Sequence, residues 1–408
     1  MAKERFPALK YRDFRLMWFG LLISNIGTQM QFAAINWHIF ILTGSAVSLG
    51  LIGLSRFIPI TIFSLIGGTI ADAHNRKRIL FITQTILTIL SFILAVTTFT
   101  HVVNPLIIYV ITALAATTIA FDVPPRQAII PSLVHKKHLT SAMSLNVTMW
   151  YSAMIIGPAL SGFIIKLFGV GGIYLINAFS FLAVISALVL MKTSGDIEGD
   201  PSRISLSAIW EGLVFVKSKT IIWSTMILDF LSTFFSSATA LLPIFAEKIL
   251  HVGPIGFGFL YAAPAIGAVV TGYFTARKGT FKNEGKILLL SVLLYGGATI
   301  IFGLSKIFLL SFVALLLVGA GDSISSIIRN TIRQLETPDY IRGRMTSINM
   351  IFFIGGPQLG EFEAGILAAL VGAPLSVVFG GIGTIAAVGL LAGTIPVLRK
   401  YSGKSEKK

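Results

Sequence analysis

The sequence contains no cysteine. Disulfides, thiol nucleophiles and thiolate metal sites are therefore excluded. Charge is also scarce: Asp, Glu, Lys and Arg make up 12% of the chain, against 55% hydrophobic residues. Acids are the scarcer sign, with 17 Asp and Glu against 32 Lys and Arg and a net charge of +15. His38, His74, His101, His135, His138 and His251 are scattered without metal-ligand spacing. No glycine-rich loop leads into Lys-Ser or Lys-Thr, so the phosphate cradle of an ATP-driven machine is missing. With no catalytic constellation, metal site or cofactor motif, the sequence does not read as an enzyme. The positive charge is dispersed with no basic block, which argues against a nucleic-acid partner.

What the chain has instead is apolar length. Its mean hydropathy is +0.86, outside the range of ordinary soluble proteins. It divides into twelve apolar stretches, at 16–41, 46–71, 79–99, 106–123, 142–165, 170–191, 221–245, 256–276, 287–304, 308–328, 345–371 and 374–397. About 20 such residues cross the hydrocarbon core as a helix, and the runs lack the alternation a β-barrel needs. A helix satisfies its own backbone in lipid, so the fold class is all-α integral membrane. All of the 32 Lys and Arg except Lys166, Lys248, Lys306 and Arg56 fall in alternate joints counted from the N-terminus. Positive joints stay in the cytoplasm, so both termini are expected there, in a cell-membrane protein that crosses the lipid bilayer an even number of times. The start, MAKERFPALKYRDFR, reads as a basic cytoplasmic head and not as a cleavable signal.

The two halves echo each other. TIADAHNRKRIL after the second stretch is answered by FTARKGTFKNEGKIL after the eighth, and Asp122 by Asp322. Parallel repeats of this kind predict two pseudo-symmetric six-helix bundles facing a central site. The expected division is a bundle at 1–191, a cytoplasmic linker at 192–220 and a bundle at 221–408. Within the linker, Leu206, Ile209, Trp210, Leu213 and Val216 fall at helical spacing and predict an amphipathic helix.

GGTIADAHNRKRIL resembles the signature loop of the major facilitator superfamily, a Gly-x-x-x-Asp followed by a basic cluster. Gly68, Asp72, Arg76, Lys77 and Arg78 match, while Ala73 stands where an Arg is usual and Asn75 where a Gly is usual. FPALKYRDFRLMWFGLLISNIGTQMQ, PPRQAIIPSLV, IIGPALSGFI, RNTIRQLETPDYIRGRM and GEFEAGILAALVGAP resemble its enterobactin-exporter-like, or transmembrane secretion effector, branch. The resemblance covers nearly the whole chain and implies the twelve-helix major facilitator fold. It also implies a cytoplasmic gate in which Asp72 meets the helix starting near Arg344 and Asp122 receives Arg76, with Gly68, Arg78 and Asp322 in the same gate machinery. Simple topological anchoring is the competing account of these charges. The stretch holding Gly157, Pro158 and Gly162 resembles an exporter motif, although ordinary small-residue packing uses the same residues.

Two other groups stand out. In the first stretch, Asn25, Gln29, Phe32 and Asn36 share one helix face, widened by Ser24, Thr28 and Gln31. Polar groups at that depth face either a cavity or a partner helix. Asn146, Trp150, Phe234, Tyr261 and Phe353 are further candidate cavity walls. The second group is charge inside apolar stretches: Asp229, Glu361, Glu363 and Arg56. Such ions are costly unless paired or hydrated, which makes them the candidates for proton coupling. Glu361 and Glu363 point about 200° apart around a helix. Arg56 and Glu361 each lie about 15 Å from the expected outer face. A pair of Arg56 with Glu361 or Glu363 is therefore expected, against a bond from Arg56 to a polar group of its own bundle.

Together these readings predict a monomeric secondary transporter using small-molecule substrate and protons, an antiporter exporting a drug, macrolide or siderophore-like molecule, with no cofactor. A lysophospholipid flippase, an importer of the same fold and a non-transporting membrane sensor are the alternatives.

Overall fold

The structure, a computed structural model, describes residues 6–195, 206–279 and 281–402, apart from the side chains at 65, 69, 72, 206–209, 238 and 339. The side chains of Asp72, Leu206 and Ile209 thus lie outside the described residues. The long helices are α1 (Arg12–Thr43), α2 (Ala46–Ala73), α3 (Arg76–Phe99), α4 (Pro105–Ile129), α5 (Leu139–Leu190), α6 (Leu206–Ser218), α7 (Thr220–Phe235), α8 (Gly253–Lys278), α9 (Glu284–Leu304), α10 (Phe308–Glu336), α11 (Arg342–Val371) and α12 (Ala373–Thr394). No strand occurs among the described residues. Nine stretches of the described chain are long and apolar enough to cross a membrane. The longest, Lys136–Leu190, contains α5, which bends at Gly169 (φ 70°), where the sequence places a break between two crossings. α1 and α11 add further helices of 32 and 30 residues.

Local chemistry sets several boundaries. The Asn75 side chain accepts the Arg78 amide at 2.9 Å and caps α3. Asn104 does the same for α4 through the Ile107 amide, ahead of Pro105 in the first turn. Gly372 (φ 88°) makes the turn between α11 and α12 in a conformation that L side chains resist. Phe19, Phe92, Phe179, Leu290 and Leu390 point outward from their helices. Exposed apolar rings and branches of this number fit a hydrocarbon solvent.

The chain divides into two units. The first comprises Met1–Thr43 with Ile58–Arg203, the second Gly44–Phe57 with Ile204–Lys408. In the first unit α1 packs along α5, and α3 packs against α4 and α5. Phe14, Met17, Leu21, Leu80, Leu133 and Leu188 form its apolar centre. In the second unit α8 packs on α10, α9 on α10 and α12, and α7 on α11 and α12. Ile222, Met226, Leu288, Val292, Ile332 and Met345 belong to its core.

The grouping of 44–57 with the second unit differs from the expected 1–191 bundle, and it has a local cause. At Gly53 a β-carbon would sit 2.4 Å from the Gln358 carbonyl oxygen, so this part of α2 lies backbone to backbone on α11. A second close crossing joins α8 and α10. There a β-carbon on Gly267 would meet the Leu316 carbonyl oxygen at 1.9 Å, and one on Gly319 the Pro264 carbonyl oxygen at 1.8 Å. Small residues on both partners permit this approach in membrane helices.

One boundary corrects the sequence reading in a way that matters for function. The tenth stretch, expected to end at residue 328, continues as helix to Glu336. Arg329 and Arg333, expected among the loop charges, are therefore helical and buried. Their charge has been taken up by internal acids, which a rule counting loop charge cannot register.

Candidate functional site

Asp229, Asp322, Arg329 and Arg333 of the second unit form an ion network that is buried except at Asp322. Asp229 projects from α7 and Arg329 from α10, and Asp229 Oδ1 lies 2.9 Å from Arg329 NH2. The same nitrogen is 3.5 Å from Asp322 Oδ1, about two helical turns back on α10. Arg333 approaches the other Asp229 oxygen at 4.0 Å. Further donors and acceptors complete the set. Arg329 donates to the hydroxyls of Ser325 at 2.6 Å and Ser326 at 2.9 Å. Arg333 donates to the side-chain oxygen of Asn330 at 2.7 Å and to that of Asn349 on α11. Asp229, Arg329 and Arg333 are thus held where isolated charge is prohibitive, and the pairing offsets part of that cost, while Asp322 keeps 45% of its side chain exposed.

A second group lies where the start of α2 meets α11. Arg56 and Glu361 are both buried. They interact electrostatically, and the Tyr261 hydroxyl of α8 shares a hydrogen bond with Arg56. Glu361 Oε2 is buried without a hydrogen-bond partner among the described residues. It faces Gly53, whose missing β-carbon leaves room for it: that atom would sit 3.3 Å from Oε2. Glu363, two residues on, is only partly buried and lies on a different face of the helix.

The first unit distributes its polar groups differently. Asn25 and Asn36 donate to carbonyls of their own helix, those of Leu21 at 2.8 Å and Phe32 at 3.0 Å. Gln29 packs beside Gly157 of α5, where a β-carbon would approach its Cβ at 2.6 Å. Pro158 and Gly162 are buried on the same helix. The Gln31 side-chain oxygen accepts from Ser91 of α3 at 3.0 Å and Asn177 of α5 at 2.8 Å. Much of the polar stripe on α1 is therefore engaged in packing within this unit. Asn146 is partly buried and Trp150 exposed on α5. In the second unit Phe234 stacks on Phe230 with centroids 5.7 Å apart, and Phe352 meets Phe230 edge-on at 6.3 Å. Phe353 points outward.

The loop after α2 shows a further arrangement. Asp122 of α4 is buried and accepts from Thr83 at 2.7 Å, from Gln84 at 2.8 Å and from Arg126 one turn along its own helix. Arg76 instead donates to the Ala128 carbonyl at 3.0 Å. The resemblance implied that Asp122 receives Arg76. The nearer Arg126, four residues along the same helix face, occupies that place. Gly68 has open space around its Cα. Arg78 contributes its backbone amide to the Asn75 cap. Arg344, at the start of α11, pairs with Glu211 of α6, which fastens α6 to α11. Loop and chain exit are tied together: Asn75 donates to the Ser194 carbonyl at 2.8 Å, Lys77 to that of Met191 at 2.8 Å, and the Arg76 amide to that of Gly195 at 3.0 Å. Among the described residues no His, Asp or Glu cluster could hold a metal.

A family model described as transmembrane secretion effector matches residues 4–406. The chain belongs to that family, within the major facilitator superfamily. This transporter is 28% identical over 373 residues to the staphyloferrin A transporter of Staphylococcus aureus, covering 91% of each chain. It is 24% identical over 393 residues to the enterobactin exporter EntS of Shigella boydii, covering 95% of this chain and 93% of the relative. Among solved structures, a bacterial homolog of the human lysosomal transporter Spinster, inward-facing and occupied, superposes with a TM-score of 0.76 at 14% identity, over 96% of this chain and 99% of that one. At that identity the likeness shows the fold alone. The findings together make the protein a multi-pass membrane transporter of small molecules and not an enzyme.

Sequence reasoning singled out Asp229 and Asp322 separately, but missed the residue that joins them. Arg329 was readable only through spacing. Asp322, Ser325, Ser326 and Arg329 fall at i, i+3, i+4 and i+7, one face of a helix that continues past the apolar run.

Proposed function

We propose that this transporter exports a small amphipathic, siderophore-like molecule by alternating access, driven by protons moving inward. The observation that carries this reading is the presence of Asp229, Asp322, Arg329 and Arg333 as a closed charge set among apolar helices. Buried ionisable groups are costly, so their presence argues for a task that needs a change of charge. Protonation of such a carboxylate and binding of substrate would each bias the same two-state equilibrium. Asp229, Glu361, Glu363 and Arg56 are the proton-coupling candidates read from the sequence, and the network adds Asp322 to them. Asp72, Arg76 and Asp122 belong to the cytoplasmic gate. The siderophore class follows from the names of the two relatives. Twelve crossings, cytoplasmic termini and a monomeric state belong to the same proposal.

The test is accumulation of enterobactin and of staphyloferrin A by everted membrane vesicles containing the protein. Accumulation should require an acid interior and collapse with a protonophore. Uptake that persists without a proton gradient would remove the coupling. Absence of any flux for these and for a panel of amphipathic drugs and lysolipids would favour a sensor built on this fold.

A further inference from the structure

The network does not treat its two acids alike. Asp229 has 2% of its side chain exposed, whereas Asp322 has 45%. Asp229 lies between two guanidiniums, at 2.9 Å from Arg329 and 4.0 Å from Arg333. Among the described residues Asp322 meets a cation only through a share of Arg329, by the nitrogen that Asp229 engages more closely, and it otherwise takes a hydrogen bond from Ser326. Coulomb attraction falls with distance and with access to water, so Asp322 is the more weakly held acid and the one water can reach. The groups facing it are few. Arg329 and Ser326 come from its own helix, Asp229 from α7, and the Tyr295 ring of α9 lies within its field. α8 meets this stretch of α10 at Ala268, whose carbonyl accepts the Ser323 hydroxyl at 3.2 Å.

We infer that Asp322 is the carboxylate that carries the transported proton, and that Arg329 passes its state on to Asp229. This inference rests on the proton-coupled reading above and names its residue. The step is a simple transfer. Water on the accessible side gives a proton to a carboxylate oxygen of Asp322, and the neutral acid returns it to water on the opposite side after the transition. With Asp322 ionised, the two acids and two arginines balance. With Asp322 protonated, the set carries one excess positive charge, and Arg329 has only Asp229 to answer it. Arg329 then draws toward α7, anchored on its way by Ser325 and Ser326. Proton occupancy on α10 thereby becomes a change in the bond that joins α10 to α7. Asp229 is the carboxylate that Arg329 reaches on α7, and Arg329 is a positioning residue.

Two measurements test this. The first needs no substrate: infrared difference spectra of the purified, reconstituted protein across a pH step. A protonated carboxyl band present in wild type should be missing in Asp322→Asn and retained in Asp322→Glu. A band that survives in Asp322→Asn overturns the assignment. The second uses enterobactin in everted vesicles. Asp322→Asn should lower gradient-driven accumulation by about tenfold or more while downhill exchange stays within about twofold, because only the coupling step is removed. Loss of exchange as well, with normal membrane expression and melting, would make Asp322 part of substrate binding and also overturn the inference. The two readings fail separately. If a protonophore stops wild-type transport but Asp322→Asn still accumulates substrate against the gradient, coupling stands and Asp322 does not carry it. If wild-type flux ignores the proton gradient while the Asp322 band is present, the acid titrates but the coupled mechanism falls.

Discussion

The Asp13 carboxylate accepts the Thr193 hydroxyl and the Thr193 amide, both at 2.8 Å, and the Lys192 amide at 2.9 Å. The beginning of α1 thereby holds the chain as it leaves α5. Burial alone would lift this carboxyl, but the Thr193 and Lys192 donors, with Arg12 beside it, bring it below the ordinary value. A carboxyl lowered in the folded state adds stability above its unfolded value and loses it as pH falls through the folded value. Asp13→Asn should therefore lower stability at pH 7 by about 1–2 kcal/mol, the range for hydrogen bonds to a charged group after allowance for partial exposure. The difference from wild type should shrink as pH falls below about 4, where the unfolded chain binds the proton before the folded carboxyl does. Thermal unfolding in detergent at several pH values measures it. A gap equally large at pH 7 and pH 3 would refute the charge-based account.

Asn75 takes part in the same fastening from the other side. Its oxygen caps α3 and its amide holds the Ser194 carbonyl. The superfamily pattern has Gly here, so the departure noted in the sequence has a structural use. Asn75→Gly should lose about 1 kcal/mol, mostly from the bond to Ser194 because Gly is itself a tolerated cap. Asn75→Asp keeps an acceptor for the Arg78 amide but has no donor for Ser194. Its melting temperature should fall between those of wild type and Asn75→Gly. An Asp variant as stable as wild type would show that the Ser194 bond contributes nothing.

The α8–α10 crossing makes a sharper demand. Gly319→Ala places a methyl 1.8 Å from the Pro264 carbonyl oxygen, which the backbone must move to admit. Overpacking of this kind costs about 1–3 kcal/mol. Gly389→Ala is the matched control, since its added methyl meets nothing within 4 Å. That variant should be neutral or slightly stabilised, by up to about 1 kcal/mol, from helix propensity alone. Equal melting of the two variants would mean that α8 and α10 are not in backbone contact.

Much of the fold could be read in advance, for a physical reason. Hydrocarbon requires long apolar helices, and topology requires Lys and Arg on one side, so both constraints are written in composition and spacing. The bend at Gly169 falls in the gap between two of the apolar stretches, whereas the cap at Asn75 appears in the sequence only as a departure from the family pattern. The network around Arg329 was not legible. A buried arginine and a loop arginine look alike in sequence, and only tertiary proximity to Asp229, a hundred residues earlier, separates them. The α1 stripe shows the opposite limitation. Its spacing identified one helix face, but not that Gln31 would be engaged by Ser91 and Asn177. The cation of Asp122, Arg126, comes from its own helix and not from the loop after α2 as the resemblance implied.

Arg56 and Glu361 supply the last prediction. The sequence puts them at equal depth, and the structure places both, buried, where α2 crosses α11, with their charges interacting. Gly53 opens the space in which Glu361 Oε2 lies, and the Tyr261 hydroxyl bonds Arg56 from α8. If the two charges stabilise each other, removing either leaves the other buried against apolar surroundings, which costs about 3–5 kcal/mol for a fully buried pair. Removing both should cost less than the sum. Arg56→Gln, Glu361→Gln and the double variant therefore form a cycle, with an expected coupling of about 1–3 kcal/mol read from chemical or thermal unfolding. The reversed pair, Arg56→Glu with Glu361→Arg, should recover part of the transport lost in each single reversal. Tyr261 sharpens the reading, because it can donate to a Glu at position 56 as well as accept from Arg. Tyr261→Phe should then weaken the rescue while leaving the wild-type pair intact enough to transport. Strict additivity in the cycle, together with no rescue by the reversed pair, would show that the two charges only share a depth and that each is stabilised by its own neighbours.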